Sequence, residues 1–230
     1  MTASSSTTPS RPCILQDVGR QAFRPVLALQ HQLVQARYAR RLTKDVLLIV
    51  EHEPVLTLGR QGKREALLTS ESCLRAAGLD IVHIERGGDV TYHGPGQIVA
   101  YLILDLRQAG LRVTTFVHHL EEVMLRTALD LGVQAERDER NRGIWAGERK
   151  LGSVGIALSH GITFHGLALN VDMDLTPFTM IHPCGLQGVG MTSLAQELKH
   201  PVPMLQVRDL VSRHMFDVFN FHSHPKEKKA

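Results

Sequence analysis

The chain reads RKLGSVGIALSHGITFHGLALNVDMDLTPFTMIHPCGL from Arg149 to Leu186. Short runs in its first half alternate between apolar residues and small or polar ones, which is typical of β-strands. Glycines interrupt such runs here and just upstream, and glycine favours the turns that join neighbouring strands. They are Gly143, Gly147, Gly161 and Gly166. The pattern predicts a β meander over residues 133–173.

The rest of the chain supplies further strands and amphipathic helices. Apolar residues recur at spacings of three and four, which predicts helices at residues 24–41, 114–131 and 204–219, and a serine can cap a shorter helix at 70–78. Strands are predicted at residues 13–18, 45–51, 55–58, 80–85 and 98–106. Because strands and helices mix without a regular βαβ rhythm, we predict an α+β fold. It would be a single domain with a central, mostly antiparallel sheet flanked by helices.

The composition is that of a globular protein. Of 230 residues, 43% are hydrophobic and 21% are charged, so we expect a sizeable core. The net charge of +3 and the 5% of aromatic residues do not indicate a nucleic-acid-binding surface. No apolar run approaches the roughly 20 residues of a membrane span. The cysteines, Cys13, Cys73 and Cys184, are odd in number and widely spaced, which indicates a reducing compartment. We predict a cytoplasmic protein that binds neither nucleic acid nor membranes.

The two ends of the chain lack the features of folded segments. The first residues are rich in serine and threonine and contain no apolar stretch of the kind found in signal peptides. The last residues are short, polar and rich in lysine. We predict a disordered arm over residues 1–12, a single folded domain over residues 13–221 and a mobile basic tail over residues 222–230.

Residues 86–97 form a glycine-rich segment, RGGDVTYHGPGQ. Four glycines and a proline allow the backbone to turn tightly and to approach a ligand closely. The segment lacks the Gly-Lys-Ser/Thr ending of a phosphate-binding loop and the Gly-x-Gly-x-x-Gly pattern of a dinucleotide site. A tight hairpin between two strands is the plain alternative. However, Arg86, Tyr92 and His93 are more than a turn requires.

Cys184 lies between Pro183 and Gly185, so it follows a residue of fixed φ and precedes a permissive one. This setting suits a thiol that meets a substrate carbonyl beside a backbone N–H donor. It equally suits a small buried apolar residue. From the residues alone, the partner that activates such a thiol is left open between Lys150 and a histidine. The histidine candidates are His83, His93, His165 and His182.

Four motifs, taken together and in order, resemble the octanoyltransferases of the lipoate pathway. They are residues 86–97, residues 150–155 (KLGSVG), residues 165–170 (HGLALN) and residues 183–186 (PCGL). The resemblance covers about Leu15 to Phe219. It implies the fold of the biotin and lipoate protein ligase superfamily. It also implies transfer of an octanoyl group from octanoyl-acyl carrier protein to a lysine of lipoyl domains, those of 2-oxoacid dehydrogenases and of the glycine cleavage H protein.

The same resemblance implies the residues of the site. Cys184 would be the nucleophile that carries the acyl group as a thioester. Lys150 would lower the pKa of its thiol and, once neutral, take a proton from the incoming lysine. The implied substrate-binding residues are Arg86, Gly87, Gly88, Asp89, Val90, Thr91, Tyr92, His93, Ser153, Val154, Gly155, Gly166, Leu167 and Ala168. No cofactor and no metal are expected, since no metal-binding spacing of histidines or cysteines is present. A monomer is expected.

Two further expectations concern specificity and the alternatives. Gly152, Gly155, Gly166 and Ala168 are small enough to leave an apolar channel for the acyl chain. The nearest alternative is an ATP-dependent lipoate-protein ligase of the same fold, which would have no need of Cys184. A Cys–His hydrolase, or a non-catalytic protein that binds carrier domains, is a more distant one.

Overall fold

A computed structural model of the chain describes residues 10–62, 64–139, 141–182 and 189–223. Strands and helices below are numbered along the chain. The strands are β1 Arg11–Gln21, β2 Asp45–His52, β3 Val55–Leu58, β4 Asp80–His83, β5 Val90–His93, β6 Gln97–Ile103, β7 Gly143–Ala146, β8 Arg149–Ser159, β9 Ile162–Asn170 and β10 Phe221–Ser223. The α-helices are α1 Phe23–Tyr38, α2 Glu71–Ala76, α3 Val113–Asp130, α4 Leu194–Leu198 and α5 Met204–Val218. Short 3₁₀ turns occupy Arg64–Ala66 and Thr176–Met180.

The strands form a large sheet and a small one. The large sheet has the order β10-β1-β2-β6-β9-β8-β7, and the small one has the order β4-β3-β5. From β2 to β7 every neighbouring pair in the large sheet is antiparallel, whereas β1 pairs in parallel with both β2 and β10. The prediction of a mixed α+β fold around a mostly antiparallel sheet is therefore confirmed.

Helices cover the large sheet on both faces, which explains the continuous apolar run of β2. Leu47 and Ile49 belong to the core formed with α3 and α5, while Val46, Leu48 and Val50 belong to the core formed with α1. Successive strand residues point to opposite faces, so a strand covered on both sides needs apolar residues throughout. Full burial of one such side chain contributes about 1.5–3 kcal/mol. Among the residues that the structure describes, no helix is both long and apolar enough to cross a bilayer.

The first and last strands extend the sheet beyond the predicted domain limits. β1 begins at Arg11, and Arg11 pairs with Phe221 of β10. Residues 11–12 and 222–223 therefore lie in strands and not in the predicted arm and tail. The strand predicted at residues 13–18 is thus longer than expected, and β10 lies outside it at the edge of the sheet. A three-residue strand is too short to carry a periodic apolar signal. Residues 1–9 and 224–230 lie outside the described residues, so the arm and the tail remain predictions.

The structure differs from two expectations about glycines, one for Gly166 and one for the glycine-rich segment 86–97. Gly166 lies inside β9, opposite Gly155 of β8 and Tyr101 of β6, and not in a turn. A Cβ at Gly166 would lie 2.1 Å from the carbonyl oxygen of Ala100, so close backbone approach is what requires glycine there. The 86–97 segment is not a tight hairpin either. It contains β5, which pairs with β3 of the small sheet, while β6 continues into the large sheet.

Candidate active site

A cavity lies where the small sheet meets β6, β8 and β9 of the large sheet. Twelve of the fourteen implied substrate-binding residues line it: Arg86, Gly87, Gly88, Asp89, Thr91, His93, Ser153, Val154, Gly155, Gly166, Leu167 and Ala168. Three separate motifs of the sequence are thus brought together around one space. The sheet does this because β8 and β9 are antiparallel neighbours, with Gly155 directly opposite Gly166.

The two remaining residues, Val90 and Tyr92, do not line the cavity. Both lie in β5, where neighbouring side chains point to opposite faces. Thr91 and His93 face the cavity, whereas Val90 and Tyr92 pack into the core of the small sheet. The ring of Tyr92 lies 5.5 Å from that of Phe178 in a T-shaped arrangement. Gly152 also faces away from the cavity, because a Cβ there would lie 2.7 Å from Sδ of Met124 in α3.

Six further residues complete the lining: Phe23 at the start of α1, Ile84, Val99, Tyr101, Asn141 and His165. His165 begins the 165–170 motif, but the sequence indicates a role for it only as a possible partner of a thiol. The other five come from segments whose periodicity indicates only a helix, a strand or a connection. Of the remaining histidine candidates, His83 is exposed on β4 and is not among the residues that line the cavity.

Arg86 places a positive charge in the cavity wall. Its side chain is buried, and Nη2 donates to the carbonyl oxygen of Thr57 at 2.7 Å and to the hydroxyl of Thr57 at 3.0 Å. Nη1 donates to the carbonyl oxygen of Gly87 at 3.0 Å. These hydrogen bonds to uncharged oxygens hold the guanidinium in the cavity wall, and a guanidinium there favours an electron-rich group of a ligand.

Two buried histidines beside the cavity are held in defined tautomers. Nδ1 of His52 lies 3.1 Å from the carbonyl oxygen of Gln21 and must donate, so Nε2 accepts from the hydroxyl of Tyr101 at 2.8 Å. Nδ1 of His93 lies 2.7 Å from Oε1 of Gln97 and donates to it. The amide nitrogen of Gln97 in turn donates to Oδ1 of Asn170 at 2.9 Å. Neither ring needs a second proton to satisfy these contacts.

Burial keeps the histidines of this region neutral at pH 7. Loss of hydration lowers the pKa of His52 to about 4. It lowers the pKa of His93 to about 3, with further contributions from His52 and from the charge of Arg86. It lowers the pKa of His165 to about 3, again with Arg86 as the main charged neighbour. The cavity therefore presents neutral imidazoles beside one guanidinium.

His165 has a strained backbone at the cavity wall. Its φ of 58° lies in the left-handed region, although it sits within β9. Its N–H donates to Oε1 of Gln30 at 2.8 Å, and Gln30 is fully buried in α1. Helix α1 thus stabilises a conformation that costs on the order of 1–3 kcal/mol and that is enriched at functional sites.

Lys150 is a buried lysine next to the cavity, with only 1% of its surface exposed. Its Nζ donates to Oδ1 of Asn141 at 2.6 Å and to the carbonyl oxygen of Arg142 at 3.0 Å. It also lies 5.2 Å from the ring centroid of Trp145, within the range of a cation–π contact. Asn141 lines the cavity, so its hydrogen bond connects the amine of Lys150 to the cavity wall.

The backbone of Lys150 is paired with the chain that follows residue 188. Its N–H donates to the carbonyl oxygen of Gly190, and its carbonyl accepts from the N–H of Thr192, both at 2.9 Å. The predicted nucleophile, Cys184, and its neighbours at 183–188 lie outside the described residues.

Comparison with known proteins identifies the fold and then the family. A bipartite lipoate protein ligase of Thermoplasma acidophilum, solved with its E2 lipoyl domain, superposes with a TM-score of 0.68 at 14% identity, over 95% of this chain and 89% of the other. The chain thus has the fold of the lipoate ligases. The lipoyl protein ligase A/B catalytic domain family matches residues 23–216.

Curated relatives with much higher sequence identity to this chain are named octanoyltransferases. An octanoyltransferase of Desulfotalea psychrophila is 49% identical over 80% of this chain and 83% of the relative. An octanoyltransferase of Syntrophobacter fumaroxidans is 40% identical over 91% of both chains. The chain therefore belongs to the lipoyl protein ligase A/B catalytic domain family, among its octanoyltransferases. The resemblance carried by the four sequence motifs is confirmed.

Proposed function

We propose that this chain moves an octanoyl group from octanoyl-acyl carrier protein to a lysine of lipoyl domains through a thioester on Cys184, with Lys150 as the acid–base partner. The observation that carries the proposal is the buried amine of Lys150, held at the wall of the cavity that the 86–93, 153–155 and 166–168 segments enclose. Octanoyltransferases among the relatives support the acyl group and the reaction type.

Chain connectivity supports the pairing of Cys184 with Lys150. Cys184 is six positions before Gly190, and a chain spans at most roughly 3.6 Å per position, or about 22 Å in all. The carbonyl of Gly190 is bonded to the backbone N–H of Lys150. Chain connectivity therefore permits the thiol of Cys184 to meet the amine of Lys150. A histidine partner is less favoured, because His93 and His165 are neutral at pH 7 and provide no positive charge for a thiolate.

In the first half-reaction, the thiolate of Cys184 attacks the thioester carbonyl of octanoyl-acyl carrier protein. A thiol at its reference pKa of about 8.5 is only a few per cent ionised at pH 7, and the ammonium of Lys150 raises that fraction by attracting the anion. The carbon–sulfur bond to the carrier breaks, and the departing carrier thiolate takes a proton from Lys150. The products are the carrier thiol, an octanoyl thioester on Cys184 and a neutral amine at Lys150.

In the second half-reaction, the neutral amine of a lipoyl-domain lysine attacks the thioester on Cys184. A carbon–nitrogen bond forms, the carbon–sulfur bond breaks, and Lys150 takes the proton that the attacking nitrogen loses. The octanoyl amide leaves, and the thiolate and ammonium are restored. The two groups titrate as a pair, because each charge favours the other. No cofactor is consumed in either step.

The acceptors we propose are the lipoyl domains of 2-oxoacid dehydrogenases and the glycine cleavage H protein. The Thermoplasma ligase that shares this fold was solved with its E2 lipoyl domain, which supports a lipoyl domain as the acceptor. We further propose that the chain acts as a monomer in the cytoplasm, with a single catalytic domain that extends the predicted residues 13–221 to residues 11–223.

Intact mass spectrometry after mixing with octanoyl-acyl carrier protein tests the proposal. We expect the chain to gain one octanoyl group, and peptide mapping to find it on Cys184. The adduct should disappear when a lipoyl domain is added, and Cys184→Ser should accumulate no thioester. Cys73→Ser is the matched control, because Cys73 is an exposed thiol outside the cavity. An adduct at another residue, or transfer that requires ATP and Mg²⁺, would contradict the proposal and favour a ligase.

We expect the preferred length of the donor's acyl chain to depend on Gly155 and Ala168, both of which line the cavity. A Cβ at Gly155 would lie 3.0 Å from Cδ of Arg86, so larger side chains narrow the space beside it. We expect Gly155→Ala and Ala168→Val to favour hexanoyl over octanoyl donors. Each excluded methylene is worth about 0.8 kcal/mol, or roughly fourfold in kcat/KM.

The comparison of hexanoyl, octanoyl and decanoyl donors measures this preference. Leu158→Ala is the control, since Leu158 lies on the same strand and is 42% exposed. If neither cavity variant alters the ratio of kcat/KM values, the acyl chain binds elsewhere.

A further inference from the structure

We propose that Asn141 is a positioning residue for Lys150, which holds its ammonium group at the cavity wall. The proposal rests on the proposed function, because it assigns Asn141 a task in the reaction of Lys150. Oδ1 of Asn141 accepts from Nζ of Lys150 at 2.6 Å, shorter than the 3.0 Å contact to the carbonyl oxygen of Arg142. Asn141 also lines the cavity together with Ser153 and Gly155.

Three contacts of the Lys150 ammonium are to uncharged groups. An amide oxygen and a carbonyl oxygen stabilise it by hydrogen bonding, and the ring of Trp145 adds a third favourable contact at 5.2 Å from its centroid. These three contacts hold the ammonium without neutralising its charge. An aspartate at position 141 would instead form an ion pair with Lys150 and compete with that thiolate.

The corner that carries both oxygen acceptors is fixed to the rest of the site. Asn141 and Arg142 directly precede β7, and the N–H of Gly143 donates at 3.0 Å to Oε1 of Glu121, a buried residue of α3. Gly143 has a φ of 134°, and a Cβ there would lie 2.1 Å from the carbonyl oxygen of Gly152. The corner therefore packs against β8 two residues from Lys150, which fixes the two oxygens relative to the lysine backbone.

Charged side chains of the neighbouring elements do not replace this contact. Arg149 of β8 pairs with Glu197 of α4 at 2.9 Å, and Glu121 of α3 lies 3.4 Å from Arg137. The side chain of Arg142 is exposed. Arg86 lines the same cavity as Asn141. Asn141 thus supplies Nζ with a side-chain oxygen at 2.6 Å, and Arg142 supplies a backbone oxygen at 3.0 Å.

Two variants of Asn141 test the proposal, with Glu139→Ala as the matched control on an exposed residue of the same segment. We expect Asn141→Ala to lower kcat by about 10- to 100-fold, the scale of a misplaced reacting group, with KM for the lipoyl domain changed less than about threefold. Lys150 should then be acylated faster by an amine-reactive reagent at pH 8, as measured by peptide mapping, because its ammonium has lost a stabilising acceptor. Asn141→Asp preserves the shape of the side chain and should slow that labelling while also lowering kcat.

The outcomes are distinguishable from failure of the proposed function. If Cys184 carries the octanoyl group and Lys150 is required, but kcat of Asn141→Ala is unchanged, only the inference about Asn141 is wrong. A change confined to KM, with unaltered labelling of Lys150, would make Asn141 a substrate contact and overturn the positioning role. Should Asn141→Ala fail to fold by circular dichroism, the Asn141→Asp variant decides, and faster labelling of Lys150 in it would overturn the proposal.

Discussion

Lys150→Met is expected to lower octanoyl transfer at pH 7 by at least about 10³-fold while the chain still folds. A general base contributes typically 10²–10⁴-fold to rate, and the variant also loses the charge that stabilises the thiolate. Methionine is unbranched and similar in length, so it fills the space that the buried lysine occupies. The oxygens of Asn141 and Arg142 lose a donor, which we expect to cost about 1–3 kcal/mol of stability.

Transfer rates and thermal unfolding of the purified variant measure the two effects separately. Arg149→Met is the control, because it removes a cation one residue away whose side chain is half exposed. Near-normal transfer by Lys150→Met would remove Lys150 from the reaction.

Lys150→Arg divides the two roles of the lysine. A guanidinium stays charged at every accessible pH, so it can stabilise the thiolate but cannot accept a proton in the second half-reaction. The acyl-enzyme should therefore form and persist, visible by intact mass, while transfer to the lipoyl domain falls at least about 100-fold. Rapid turnover by the arginine variant would show that another group takes the proton.

Acidification from pH 7 to pH 5 is expected to destabilise the fold by several kcal/mol. In the folded chain the pKa of His52 is about 4 and those of His93 and His165 are about 3, against 6.5 for an unperturbed histidine. Below pH 6.5 the unfolded chain takes up protons that the folded chain does not, so the free energy of unfolding falls as the pH falls. The loss continues until the pH passes the folded values near 3–4. At pH 5 each histidine accounts for about 2 kcal/mol.

Urea unfolding at a series of pH values measures this dependence, and His52→Gln isolates one contribution. Glutamine can donate and accept as His52 does but does not titrate, so the uptake of protons on unfolding between pH 4 and 6.5 should fall by about one. His200→Gln should leave it unchanged, since His200 is exposed. A stability that is constant between pH 7 and pH 5 would show that these histidines are not desolvated.

The sequence predicts most of the sheet because its strands and helices leave local patterns, whereas the cavity residues at 86–93, 153–155 and 166–168 are implied by the family resemblance. β2 reads as a continuous apolar run since both of its faces are covered, and α3 repeats its apolar residues at helical spacing. The glycine-rich and small-residue motifs are recognisable because their backbone lies close to a neighbouring backbone or side-chain group. At Gly166 that neighbour is the carbonyl of Ala100, and at Gly155 it is the side chain of Arg86.

The features that sequence reasoning missed depend on partners distant along the chain. The hydroxyl of Tyr101 is hydrogen-bonded to His52, which is 49 positions away along the chain. The side chain of Gln30 accepts from the backbone N–H of His165, which is 135 positions away. No local pattern distinguishes Asn141 from an ordinary polar residue in a connection. The resemblance implies a substrate-binding role for every residue of the 86–93 segment, including Val90 and Tyr92. Its strand pairing with β3 alternates the side chains and turns these two away.

The short strand β10 has a consequence for how far the C-terminus can be shortened. It pairs in parallel with Arg11, Pro12 and Cys13 of β1, and the guanidinium of Arg11 lies 5.3 Å from the ring centroid of Phe221. A chain ending at Asn220 would keep the hydrogen bond from the N–H of Arg11 to the carbonyl of Asn220 but would lose the rest of this pairing. An unprotected sheet margin is a template on which other chains can add. Removal of β10 is thus expected to promote self-association, although no residue of β10 borders the cavity.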